Sequence, residues 1–336
     1  MENETAMISF AGIVGPAIRG IVGCAVAFAM SMLPAVSRAD GVVVGQGVTI
    51  GWAPFFVAEG LDLWKQNGLD VKVVSFASGR LVIESILGGS ATFGTATETP
   101  VALAALNNLP IRILAVIDTH EVYDLVATTE IQRIEDIRGK RLAYSSGTNA
   151  QVYLARLIER AGLKPDDIKA ISLSPSDMVS ALANGSIDGF VWSEPHQSQA
   201  MALKPGAFHR LRVPGLYTQY STVVTTQQTI DTRRADLVSA LRALIAAVDY
   251  INSAPEESAN LTAAKIRMDP KLAAEIWPQI RFAVSLDRGR LVEELRNQAQ
   301  WAIDSGIARP GAKLPDFDPI VVNGLLEEAR QPPANK

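Results

Sequence analysis

The sequence predicts an α/β protein of about two domains, with parallel sheets covered on both faces by helices. Short runs rich in β-branched residues alternate with helical patterns from Val42 onward. Such alternation sets successive strands parallel, with helices crossing over the sheet. The length of 336 residues suits about two domains at roughly 100–200 residues each. Apolar residues make up 48% and charged residues 20% of the chain, the balance of a globular protein with a large core.

The first forty residues differ from the rest. Ile21 to Leu33 is almost wholly apolar, preceded by Arg19 and followed by Pro34, Ser37, Arg38 and Ala39. A short apolar core with a basic residue before it and small residues ahead of a cut predicts a secretory signal over residues 1–39, cleaved after Ala39. A second reading stands beside it. Ile21-Val22-Gly23-Cys24 fits a lipoprotein box, which would leave a lipid anchor on Cys24. The apolar run continuing past Cys24 weighs against that anchor. Cys24 is the single cysteine, so cleavage after Ala39 leaves a chain with no thiol, held together by its core.

Strands are predicted at Val42–Ile50, Val71–Phe76, Ile111–Ile117, Leu125–Thr128, Arg141–Tyr144, Ile168–Leu173, Gly189–Val191 and Thr222–Thr225, each a short β-branched run. Helical spacing covers Phe56–Gln66, Leu81–Leu87, Pro100–Leu106, Ala150–Ala161, Met178–Ala183 and Arg234–Asn252. In the last of these, Leu237, Leu241, Leu244, Val248 and Ile251 form one apolar stripe. Asn67-Gly68 reads as a left-handed helix stop, and Gly162 with Pro165 as another. Ser285 and Asp287 can cap a helix from about Arg290 to Ser305 that Gly306 ends. The tail beyond Ala329 holds two prolines and is predicted to fray.

Several function classes are excluded on composition. A net charge of -4 without a lysine or arginine block argues against nucleic-acid binding. His120, His196 and His209 are the only histidines and lack ligand spacing, so no metal site is expected. Gly45-Gln46-Gly47 lacks the remaining glycine of a dinucleotide fingerprint, and no phosphate loop or nucleophile elbow occurs. No cofactor is expected.

Residues 76–100 carry a recognisable pattern: Phe76-Ala77-Ser78-Gly79-Arg80, then Gly88-Gly89-Ser90-Ala91-Thr92-Phe93-Gly94-Thr95-Ala96-Thr97-Glu98-Thr99-Pro100. Further on come Ile134-Glu135-Asp136-Ile137-Arg138-Gly139-Lys140, Ser145-Ser146-Gly147-Thr148-Asn149, Ala161-Gly162-Leu163-Lys164-Pro165, Ala181-Leu182-Ala183-Asn184-Gly185 and Trp192-Ser193-Glu194-Pro195-His196. In this order and spacing, over most of residues 42–260, the chain resembles the periplasmic binding proteins for aliphatic sulfonates, taurine and nitrate. Two departures stand out. The histidine that superfamily carries after the small residue of this loop is here Gln151 or absent, depending on the alignment, and His196 replaces the commoner tyrosine after Glu-Pro.

The resemblance implies a two-lobed periplasmic binding protein fold of type II: two mixed, mostly parallel sheets, a hinge and an interlobe cleft. The crossings are expected near Ala127–Thr129 and Tyr220–Val224. Lobe one is then 41–127 plus 223–336, and lobe two 128–222. It further implies a periplasmic, monomeric solute-binding component of an ABC importer, taking a small anionic organic nutrient by lobe closure and docking transiently on the permease. Two alternatives remain. Enzymes on this fold, of desulfinase or pyrimidine-precursor synthase type, use a cysteine or a histidine-rich cleft, whereas here only His196 lies near a candidate loop. A sensor would present the bound ligand to a membrane receptor.

Candidate ligand contacts follow from strand-to-helix turns, since sites in open α/β sheets lie at the carboxyl ends of strands. Ser145, Ser146, Gly147, Thr148 and Asn149 offer small residues, hydroxyl donors and a helix amino terminus suited to an anion; ordinary helix capping explains the same residues. Ser78, Gly79 and Arg80 repeat the arrangement, with Arg80 free to fork onto an anionic headgroup or to lie solvated. Thr97 is a candidate donor, and Glu98 caps a helix or tunes the cleft. Trp52, Pro54 and Phe55 either wall the cleft or form core beneath the first loop. Trp192 and Glu194 end a strand, and Glu194 has the charge to hold a ligand amine or a hinge partner. Tyr217 and Tyr220 lie near the second crossing and could close over a ligand. Met178 belongs to the core.

Overall fold

The computed structural model describes residues 41–332. The expected signal segment 1–39, with Cys24, lies outside them. The first lobe begins with strand β1 (Val42–Gly47), helices α1 (Ala53–Gly60) and α2 (Leu63–Gln66), strand β2 (Val71–Phe76), helix α3 (Gly79–Leu87), strand β3 (Phe93–Thr97), helix α4 (Glu98–Leu106) and strand β4 (Ile111–His120). The second holds β5 (Asp124–Thr128), β6 (Arg141–Tyr144), α5 (Asn149–Arg160), β7 (Lys169–Ser172), α6 (Pro175–Ala183), β8 (Gly189–Trp192), α7 (His196–Leu203) and β9 (Phe208–Leu211). The chain then returns through β10 (Gln219–Thr226), α8 (Gln227–Ser253), α9 (Pro255–Ile266), α10 (Pro270–Ile276), β11 (Arg281–Ser285), α11 (Arg288–Asp304) and α12 (Leu325–Arg330).

Two mixed sheets result, in the orders β11-β4-β10-β3-β1-β2 and β7-β6-β8-β5-β9. β1 is parallel to β2 and β3, and β6 is parallel to β7 and β8. The antiparallel members are β10, β11 and the β5 pairs. Each is a strand reached at or after a passage between the sheets, where a right-handed helical crossover is not required. The passages run over 121–123 and 212–218, between β4 and β5 and between β9 and β10. The expected crossings near Ala127–Thr129 and Tyr220–Val224 therefore shift. Leu125–Thr128 pairs with β8 and β9 and so belongs to the second sheet, while Tyr220–Val224 lies inside β10 of the first.

The first sheet carries apolar cores against both faces. One gathers Phe55, Trp64, Phe93 and the predicted stripe Leu237, Leu241, Leu244, Val248 and Ile251 of α8. The other joins α3, α4 and α11 through Val82, Val101 and Leu295. The second sheet has its own core around Tyr153, Met178 and Phe190. Asp287 caps α11 by accepting from the Arg290 N–H at 3.2 Å, as its position predicts.

Three strands escape the sequence pattern: β3, β9 and β11. β3 reads Phe-Gly-Thr-Ala-Thr and is buried at every position; its small side chains make it look like a loop, yet smallness is what its site requires. A Cβ on Gly94 would sit 2.2 Å from the Gly45 carbonyl oxygen and 2.6 Å from Val82 Cγ1. The predicted helix Phe56–Gln66 is broken by Asp62, whose φ of 53° is left-handed and starts a new short helix. β1 ends at Gly47 because Ile50–Trp52 turns as a 3-10 segment.

Gly94→Ala is expected to force β1, β3 and α3 apart and to destabilise the protein by about 1–3 kcal/mol, read as a lower midpoint in urea unfolding. An unchanged midpoint would show that this close approach relaxes at no cost.

Candidate functional site

Turns leaving β1, β2 and β3 in one lobe face turns leaving β6 and β8 in the other, and a cavity lies between them. From the first lobe it is lined by Val48, Thr49, Trp52, the stretch Ala77 to Arg80, Thr97 and Pro100; from the second by Thr148, Trp192 and Ser193. Tyr123 of the first passage and Gln219 at the start of β10 complete the wall. In this arrangement of the lobes the cavity volume is about 30 Å3, room for about one or two water molecules. An outer chamber continues past Arg80 to Ser145, Ser146, Gly147 and the start of α6.

Arg80 reaches from one lobe to the other. Gly147 has φ +71°, and a Cβ there would lie 2.9 Å from Arg80 Cδ. A glycine is thus needed both for the turn and for the arginine stem to cross it. Arg80 Nη1 donates to Glu84 of its own helix, while Nε is buried without a protein acceptor. Thr49 Oγ1 and Trp52 Nε1, also on lining residues, are buried and unpartnered in the same way. Three residues of the lining thus each carry a buried polar group capable of donation. Buried donors left without acceptors are costly, which is what a site that expects acceptor atoms looks like.

Helices α3, α4 and α5 all start at this cavity, with Ser78, Thr97 and Thr148 as their capping residues. Ser78 Oγ accepts from the Leu81 N–H at 3.4 Å. Thr97 and Thr148 spend their hydroxyls elsewhere: Thr97 donates to Asn149 Oδ1 at 2.5 Å and Thr148 to the Ser145 carbonyl at 2.7 Å. Gly147 N–H donates to Gln151 Oε1 at 2.8 Å, so Gln151 braces the loop. Aligned amides at the helix starts give the cavity a positive potential. Gly79 packs against β3, where a Cβ would stand 2.9 Å from Ala96 Cα. The Trp52 ring covers Gly47 in the same manner, and the Trp192 ring meets Tyr123 edge-on at 6.2 Å.

Beneath the cavity the lobes are clasped by a buried polar cluster. Glu98, at the first turn of α4, is fully buried. Its carboxylate accepts from the Tyr217 hydroxyl, from Asn149 Nδ2 at 2.8 Å and from the Tyr220 N–H at 3.1 Å. Asn149 Nδ2 also reaches the Tyr217 oxygen at 2.6 Å. Tyr217 lies in the second passage and is capped by Arg156, 4.8 Å above its ring. Burial pushes the Glu98 carboxyl up from 4.5 to about 7, against the opposing hydrogen bond from Tyr217.

The structure sorts the predicted contacts. Trp52, Ser78, Gly79, Arg80, Thr97, Thr148 and Trp192 line the inner cavity, and Ser145, Ser146 and Gly147 the outer chamber. Glu98, Asn149 and Tyr217 form the clasp and do not line either chamber. Phe55 is core, tilted against Trp64 at 5.7 Å and Phe93 at 6.3 Å, and Pro54 is buried in the first turn of α1. Glu194 turns away from the cleft to Arg210 and to Ser198 Oγ at 2.8 Å. Tyr220 faces a separate hollow beside β11, with Arg290 5.8 Å over its ring. His196 begins α7, and burial lowers its imidazole to about 4, so it is neutral. Thr49, Tyr123, Ser193 and Gln219 were not legible as contacts. Ser193 sits inside the Trp192–Glu194 stretch and Thr49 three residues before Trp52, but Tyr123, in the first passage, and Gln219, just after the second, carry no local signal.

A family model described as NMT1/THI5 like matches residues 50–258. The chain belongs to the NMT1/THI5-like family. Among relatives of this family member, a Brucella abortus (strain 2308) protein, provisionally named a binding protein, is 24% identical over 84% of this chain and 89% of its own length. The taurine-binding periplasmic protein of Escherichia coli (strain K12) is 28% identical over 38% of this chain and 41% of its own. The alkanesulfonate-binding protein SsuA from Xanthomonas axonopodis pv. citri, solved bound to MOPS, superimposes with a TM-score of 0.75 at 18% identity, over 84% of this chain and 98% of that one. The nitrate-binding protein NrtA from Synechocystis PCC 6803 gives a TM-score of 0.69 at 13% identity, over 86% and 88%. The NMT1/THI5-like chain therefore has the periplasmic binding protein fold, as its motifs imply.

Glu98 makes stability depend on pH. The native state keeps this proton up to about 7, whereas the unfolded chain loses it near 4.5. Between those values the native state binds more protons, so stability falls as pH rises and levels off above the upper one. The span corresponds to roughly 3 kcal/mol. Glu98→Gln is expected to flatten that slope in urea unfolding measured across the window; an identical slope in the variant would assign it to other groups.

Proposed function

We propose that this protein is the extracytoplasmic solute-binding component of an ABC importer, and that it takes a small organic anion by closure of its two lobes. The observation that carries the reading is the cavity between the lobes, where Arg80 keeps a buried unpartnered Nε beside the starts of α3, α4 and α5. An anion would receive donors from both lobes at once. The lobes-together state then binds it better and becomes the populated one. The passages at 121–123 and 212–218 are the places where the backbone can absorb such a hinge motion. Relatives and structural neighbours named for taurine, alkanesulfonate and nitrate support an oxyanion as the ligand class, a periplasmic location and a carrier rather than a catalyst.

Calorimetric titration with alkanesulfonates, nitrate and small carboxylates tests the reading. Arg80→Ala is expected to weaken the bound anion by about 10–100-fold, the range of a charge-assisted hydrogen bond. Undiminished affinity would remove Arg80 from the site, and binding of a neutral heterocycle with none of the anions would refute the ligand class. Glu84 shares Arg80 across an exposed pair, so Glu84→Gln is expected to raise affinity by about two- to five-fold, as surface pairs contribute about 0.2–1 kcal/mol.

A further inference from the structure

Carboxylates are missing from the place where an amine would need one. Among the described residues, the inner cavity is lined by one guanidinium and by hydroxyl, amide, aromatic and aliphatic groups, with no aspartate or glutamate. The three acids adjacent in sequence to the lining are all committed elsewhere. Asp124 is held by Arg212 at 3.0 Å. Glu98 takes its donors from Tyr217, Asn149 and Tyr220, and Glu194 is held by Arg210 and Ser198. Asp177 stands in the outer chamber, accepting from Ser174 Oγ at 2.6 Å. Glu84 is paired with Arg80 Nη1 and lines neither chamber.

The neutral oxygens that remain are partly occupied. Gln219 Oε1 accepts from the Tyr123 hydroxyl at 3.1 Å. Of the lining groups without partners, Arg80 Nε and Trp52 Nε1 only donate, and the Thr49 hydroxyl can donate or accept. Trp52, Tyr123 and Trp192 supply flat apolar walls for the rest of a ligand.

We infer that the cleft selects anions that carry no positive charge, pairing one acidic headgroup with Arg80 and laying an uncharged apolar body against Trp52 and Trp192. The inference deepens the anion-binding reading and rests on it. An ammonium group on the ligand would be stripped of water beside donors, with no carboxylate in the lining, and a buried unpaired charge is strongly unfavourable.

The test compares ethanesulfonate, its 2-amino derivative and benzenesulfonate by calorimetry on the whole protein near neutral pH. The amino derivative is expected to bind about 100-fold more weakly than ethanesulfonate, and benzenesulfonate at least as tightly as ethanesulfonate. Equal affinity for the amino derivative would overturn the selectivity while leaving the anion reading intact. Failure of all three sulfonates and of small carboxylates to bind would overturn both. Gln219→Glu places a carboxylate in the wall at nearly unchanged volume. It is expected to narrow the ratio by about ten-fold or more, and a folded variant with the ratio unchanged counts against the electrostatic cause.

Discussion

Glu98 is the constraint on which the arrangement of the lobes depends. A carboxyl group with no exposed surface is tolerated only when donors surround it, and here the donors come from three parts of the chain: Asn149 of the second lobe, Tyr217 of a passage and the Tyr220 backbone of the first sheet. Satisfying one side chain therefore fixes the start of α4 against the start of α5 and against the returning strand β10. Thr97, one residue earlier, adds its own bond to Asn149. The clasp also leaves Thr97 and Thr148 on the cavity wall while removing Glu98 and Asn149 from it.

Around that clasp the loops use one design several times. A parallel strand ends, a turn of no more than four residues follows, and a helix begins at the cavity. The small residues answer to packing as well as to the turn. Gly79 lies against β3, Gly47 under Trp52, and Gly147 under Arg80. Because the arginine stem crosses the second-lobe loop, its charge belongs to the interlobe space although it grows from the first lobe. Capping and ligand binding are not rival explanations of these serines and threonines. Ser78 caps α3 while lining the cavity, whereas Thr97 and Thr148 lend their hydroxyls to bracing.

The electrostatic character of the cavity follows from where the acids went. The chain carries more acidic than basic residues, yet the inner wall displays an arginine and no carboxylate. Net charge says little about a site because each nearby acid is paired locally: Glu98 by the clasp, Glu194 by Arg210, Glu84 by Arg80 itself. Low dielectric and aligned helix starts then set the local potential.

By itself the sequence determined the alternation of strands and helices, the apolar stripe of α8, the Asp287 cap and the turns at residues 78–80 and 145–148, because all of these are local patterns of spacing and side-chain type. β3 was hidden, since its small residues answer to neighbours in space rather than to a propensity. The shift of both crossings has the same origin: Leu125–Thr128 is recognisable as a strand, but which sheet it joins is a matter of pairing with β8 and β9. Tertiary structure alone decided that Phe55 is core, that Glu194 turns to Arg210, that Glu98, Asn149 and Tyr217 hold the lobes together, and that Tyr123 and Gln219 reach the cavity. For the clasp and for Tyr123 with Gln219 the partners lie roughly fifty to one hundred and twenty positions apart along the chain, and no short-range pattern encodes such a contact.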